Sequence, residues 1–122
     1  MNQGVEGRTF DLTGALDRLE QDKELLIELV QLFSGEYPQQ IAQLEQHVRA
    51  ADKKQIEATA HSMKSALGNI GADAAFRFAA SIERAAREGS TVDFSAQCSQ
   101  LRALVAAFQQ AACDQLGIKL SL

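Results

Sequence analysis

From Leu25 to Ala112, apolar residues recur at three- and four-residue spacing in one run after another, and the whole chain holds a single proline. Leu25, Leu26, Leu29, Leu32 and Phe33 form one set, continued by Ile41, Leu44 and Val48. Ile56, Ala60, Met63, Leu67 and Ile70 form a second, and Ala75, Phe78, Ala79, Ile82 and Ala86 a third. Phe94, Cys98, Leu101, Val105, Phe108 and Ala112 form the last. An α-helix turns about 100° per residue, so each set collects on one face. No stretch alternates with the two-residue period of a strand. Helices that each hide one stripe, joined by short turns, stack side by side. The expected fold is all-α: an antiparallel four-helix bundle with a short N-terminal lid helix.

Polar residues mark the boundaries. Residues 1–9 read as a flexible leader and residues 10–113 as the bundle, with a C-terminal tail over 114–122. Asp11 suits the N-cap of a short helix over Leu12–Leu19, and Asp22 begins a longer one. Ser34-Gly35-Glu36-Tyr37-Pro38 interrupts that helix, because Pro38 lacks a backbone donor; the helix either kinks or restarts there. It then runs to about Ala51. Asp52 caps the next helix, which ends near Gly71. Asp73 begins another, Gly89-Ser90-Thr91 turns the chain, and the last helix runs from about Asp93 to Cys113.

Charge and composition exclude several classes. The formal charge is −4, from 12 basic and 16 acidic residues, and no basic run is present, which argues against nucleic acid. No apolar run approaches the ~18 residues of a membrane span. The first residues lack the charged-then-apolar pattern of a secretory signal, so the expected location is cytoplasmic. Cys98 and Cys113 fall on one helix about 22 Å apart, too far for a disulfide, and read as small apolar residues. The two His and two Cys show no zinc-ligand spacing.

The segment Ala60-His61-Ser62-Met63-Lys64-Ser65-Ala66-Leu67-Gly68-Asn69-Ile70-Gly71 carries the chemistry. His61, Lys64, Ser65 and Gly68 share an arc of about 100°, and the core stripe lies roughly 130° away. The imidazole therefore sits at the bundle edge beside an ammonium, among very small neighbours. Ser65, Ala66 and Gly68 cannot wall a pocket, and His47 lies on another helix. A nucleophilic imidazole that meets a docking protein fits better than an enclosed active site. Lys64 would neutralise the charge of about −2 that a phosphoryl group brings. Glu83 follows Ile82 as His61 follows Ala60, so the two are expected to face each other. A hydrogen-bond acceptor there would hold the Nδ1 proton and leave Nε2 to attack. Glu57 and Lys54 read as ordinary solvated charges, Phe78 as core, and Phe76 is left open.

His61-x-x-Lys64-Ser65-x-x-Gly68-x-x-Gly71, within this helical layout over residues 10–113, resembles the signature of histidine-containing phosphotransfer (HPt) domains of two-component phosphorelays. The resemblance implies that His61 accepts a phosphoryl group from a receiver-domain phosphoaspartate and passes it to another receiver aspartate, with Lys64 as its electrostatic partner. Ser65 stands where many members have Gly, and Glu83 where a glutamine is common. Ser65, Gly68 and Asn69 are the expected partner-binding residues. The partners implied are receiver domains, of a hybrid sensor kinase and a downstream regulator, with no nucleic acid and no membrane. The chain is expected to be a monomeric phosphocarrier rather than an enzyme. No intrinsic cofactor or metal is expected, with Mg²⁺ supplied in the receiver domain, and the chain lacks a phosphate-binding loop for ATP. Two rivals remain: a degenerate bundle that binds receivers without phosphotransfer, and a purely structural bundle.

Overall fold

The computed structural model describes residues 7–120, and among them every regular element is helical: α1 (Leu12–Arg18), α2 (Lys23–Arg49), α3 (Lys53–Asn69), α4 (Asp73–Arg87) and α5 (Phe94–Leu116). Four of the five begin alike. Asp11, Asp22, Asp52 and Asp93 each accept a hydrogen bond from the backbone N–H three residues on. Each satisfies a donor that the first helical turn leaves unpaired.

Helix α4 is the exception, because Ala72 at its N-cap offers no side-chain acceptor. The chain ahead of the bundle supplies the missing partner. The Arg8 carbonyl accepts from Ala74 N–H at 2.8 Å, and Asp73 Oδ2 accepts from Arg8 N–H at 3.2 Å. Residues 8 and 9, expected in a flexible leader, therefore lead into Phe10 as part of the fold; residues 1–6 of that leader lie outside the described residues.

Helices α2 to α5 close a ring, with α3 against both α2 and α4, and α5 against both α4 and α2. Cross-helix partners fix the directions. Glu57 meets Arg87, His61 meets Glu83, and Gly68 lies under Phe76, so α3 and α4 run antiparallel. Glu45 with Arg102 and Ser34 with Gln109 give the same sense for α2 and α5. Helix α1 crosses the end of the bundle at the α3–α4 turn. Asp11 N–H donates to the Gly71 carbonyl at 2.7 Å, and Arg18 Nη2 donates to the Gly68 carbonyl at 2.8 Å, closing an end-of-helix acceptor of α3.

The α3 stripe is the centre of the core: Ile56, Ala60, Met63, Leu67 and Ile70 are all buried. At the α1 end, Phe108 packs edge-on against Phe10 and Phe33, with ring centroids 5.2 and 6.5 Å away.

Several sequence expectations are corrected. Helix α2 does not restart at Pro38 but stays helical through it for 27 residues. Pro38 is exposed, and buried Phe33, Ile41 and Leu44 on either side hold the turn that lost one hydrogen bond. The α2 core line is Leu26, Val30, Phe33, Ile41 and Leu44, leaving Leu25 and Leu32 exposed. Phe78 is half-buried at the margin. Helix α5 continues past Cys113 to Leu116, which is buried, and stops at Gly117, whose φ of 67° is left-handed. Cys98 is buried and Cys113 half-buried, and both are free thiols.

Candidate functional site

Where α3 and α4 run side by side, one buried carboxylate gathers three donors. Glu83 follows Ile82, so it leans from the α4 core stripe toward α3, and its side chain is 6% exposed. Glu83 Oε2 lies 2.8 Å from His61 Nδ1, and Oε1 lies 2.8 Å from Lys64 Nζ. Arg87, one turn along α4, places Nη2 2.8 Å from the same Oε2. Its Nε donates to Glu57 Oε2 at 2.9 Å, back on α3 and one turn before His61. Burial alone would push the Glu83 carboxyl above its ordinary range. The hydrogen bonds and charges of Lys64 and His61 outweigh that and hold it below.

The position of the ring hydrogen follows. An ionised carboxylate only accepts, so the short contact requires the hydrogen on His61 Nδ1. In the neutral ring this tautomer leaves the lone pair on the second nitrogen, Nε2. The His61 side chain is 59% exposed, against 25% for Lys64. The arrangement is an exposed imidazole oriented from behind by a buried anion.

Of the other residues singled out in the sequence, Ser65 and Asn69 are exposed, and both line a groove of about 410 Å³ at the α1 end of the site. Gly68 lines it as well, but it is not bare. The Phe76 ring of α4 lies over it, and a methyl group built on Gly68 would stand 3.1 and 3.2 Å from that ring. The missing side chain makes room for an aromatic neighbour. Phe76, left open by the sequence, is the groove's apolar wall. Glu57, read as an idle surface charge, is engaged by Arg87.

Arg87 went unnoticed in the sequence, although a signal was there. It stands four residues after Glu83, the spacing that brings two side chains together on one helix. Among the described residues, no three His, Cys, Asp or Glu side chains gather as they would around a metal ion. No helix among them is long and apolar enough to cross a membrane.

A family model described as Hpt domain matches residues 28–111, a span that holds His61, Lys64, Glu83 and Arg87. No curated protein and no solved structure matches the chain.

Proposed function

The chain belongs to the Hpt domain family, and on that premise we propose that it is a phosphorelay intermediate whose phospho-accepting atom is His61 Nε2. Membership supports a phosphotransfer-related role in two-component signalling; in this reading the chain is a phosphocarrier rather than a kinase, and receiver domains are the kind of protein it meets. The observation that carries the finer reading is the pairing of an exposed imidazole with a buried carboxylate at its Nδ1.

The transfer is in line. Nε2 attacks the phosphorus of a receiver phosphoaspartate, an Nε2–P bond forms, and the P–O bond to the aspartate breaks. The aspartate carboxylate leaves with the electron pair. Nδ1 keeps its hydrogen, so the ring becomes cationic as the phosphoryl group arrives. That positive charge develops 2.8 Å from Glu83 Oε2, which is already in place and needs no reorganisation. Lys64 Nζ, on the other oxygen, supports the incoming phosphoryl charge. The reverse sequence hands the group to a second receiver. Mg²⁺ belongs to the receiver's half of the site, and this chain contributes no metal or cofactor.

The partner surface in this reading is the exposed side of α3 beyond His61, where Ser65, Gly68 and Asn69 border the groove. The chain acts as a cytoplasmic monomer, since the face that carries His61 must stay open. The donor and acceptor in this scheme are a hybrid sensor kinase and a downstream regulator. A panel of receiver domains, loaded with radiolabelled acetyl phosphate and Mg²⁺, tests it. Acid-labile, base-stable label should move to the wild-type chain and not to His61→Gln. Receiver binding without label transfer would instead favour the rival in which the bundle only docks receivers. Neither binding nor transfer would favour a structural bundle.

A further inference from the structure

We propose that Arg87 is a positioning residue for His61, acting through Glu83: it shares Oε2 with the imidazole and limits how strongly that carboxylate draws the ring into its cationic form. This rests on the reading of His61 as the phosphoryl acceptor.

The geometry is specific. Oε2 of Glu83 accepts from His61 Nδ1 and from Arg87 Nη2, both at 2.8 Å. Arg87 cannot drift freely along α4, because its Nε is fixed to Glu57 on α3. The guanidinium thus spans two carboxylates with two different nitrogens, a task its planar fork suits and a lysine ammonium does not. The ion pairs that reach His61, Lys64 and Arg87 come from Glu57 on α3 and Glu83 on α4.

The consequence is a balance. A neutral ring is the nucleophile, and a cationic ring is what transfer produces. With Oε2 left to the imidazole alone, the buried carboxylate would favour the cation in both the resting and the phosphorylated protein, even with Lys64 on Oε1. It would remove nucleophile before the reaction and retain phosphate after it. Arg87 takes part of that negative charge while leaving the hydrogen bond to Nδ1 in place. It is 56% exposed, so the effect is modest, roughly two- to fivefold in rate.

The test uses phosphoramidate, a small phosphoryl donor that needs no receiver, and follows labelling of His61 as a function of pH. The donor's own titration is common to all variants. In Arg87→Ala the acid limb of the profile should move up by about half a pH unit, slowing reaction on that limb roughly threefold. Nitrogen-15 spectra of His61 in the free protein should shift to match. Arg87→Lys should restore most of the limb, since it returns the charge. The decisive comparison is Glu83→Gln against the Glu83→Gln, Arg87→Ala double variant. With the carboxylate gone, removing Arg87 should change nothing further. A loss that persists in the double variant would mean that Arg87 acts on the phosphoryl group itself, which overturns the proposal. So would an acid limb and nitrogen-15 spectrum in Arg87→Ala that stay at their wild-type positions. The spectra of the free protein judge Arg87 even if no receiver transfers phosphate, so the two readings fail separately. Circular dichroism and thermal melting of each variant identify one that has merely unfolded.

Discussion

Gly68 and Gly71 share one motif, yet the structure gives them different reasons to lack a side chain, and substituting alanine at each separates the two. At Gly71 the backbone φ is +79°, in the left-handed region, where an L-residue costs about 1–2 kcal/mol. A methyl group there would lie 2.7 Å from the Asp11 carbonyl oxygen and 3.0 Å from the Ala15 methyl. Neither neighbour can retreat easily. Ala15 is fully buried, and Asp11 N–H donates to the Gly71 carbonyl. Relief means loosening α1 and that hydrogen bond, a further cost of about 1–2 kcal/mol. Gly71→Ala should therefore destabilise the fold by about 3 kcal/mol. At Gly68 the backbone is helical, and alanine gains up to about 1 kcal/mol in helix propensity. Its methyl group would press only on the half-buried Phe76 ring, which can yield by a few tenths of an ångström. Gly68→Ala should stay within about 0.5 kcal/mol of wild type. Urea unfolding followed by circular dichroism reads both values. With m near 1.5 kcal/mol/M, Gly71→Ala should lower the midpoint by about 2 M and Gly68→Ala should barely move it. Equal midpoints for the two variants, or a greater loss at Gly68, would refute the reasoning.

Acid and thiol chemistry give two further checks. Because Glu83 sits below its ordinary value of 4.5 in the folded protein, its contribution to stability is present above that value and is lost as pH falls through the folded one. Unfolding free energy measured from pH 6 downward should thus decline more steeply in wild type than in Glu83→Gln, and parallel declines would count against an ionised, paired Glu83. Burial, aided by the Glu45 carboxylate and opposed by Arg102, pushes the Cys98 thiol up to about 11. A thiol reagent at pH 8 should therefore label half-buried Cys113 first and reach Cys98 at an appreciable rate only on unfolding; equal rates in the native protein would contradict this.

What the sequence made legible is what a helix wheel encodes. The α3 stripe, the aspartate caps and the approach of Glu83 to His61 all depend on spacing along a single helix, together with the rule that a residue beside a core position leans toward the neighbouring helix. The errors have a common physical origin. Pro38 was weighed as a local breaker, whereas long-range packing of Phe33, Ile41 and Leu44 outweighs one lost hydrogen bond. Residues 8 and 9 read as part of the leader because the partner of Arg8, the uncapped start of α4, lies 65 or more residues ahead. Gly68 appeared as empty space because its neighbour Phe76 belongs to another helix. The link from Arg87 to Glu57 spans 30 residues, and no periodicity encodes such a pair.

Phe10 matters most for where the protein can be cut. The family match begins at residue 28, inside α2, whereas the ring of Phe10 rests on Phe108 and α1 covers the turn after α3. A chain trimmed to the matched span would keep every residue of the histidine site. It would nevertheless leave one face of Phe108 uncovered, take away the backbone acceptor at the start of α4, and strip the Arg18 donor from the end of the helix that carries His61. The border of the family signature is therefore not the border of the folding unit, and deletion mapping that treats the two as one would mistake a damaged scaffold for a missing activity.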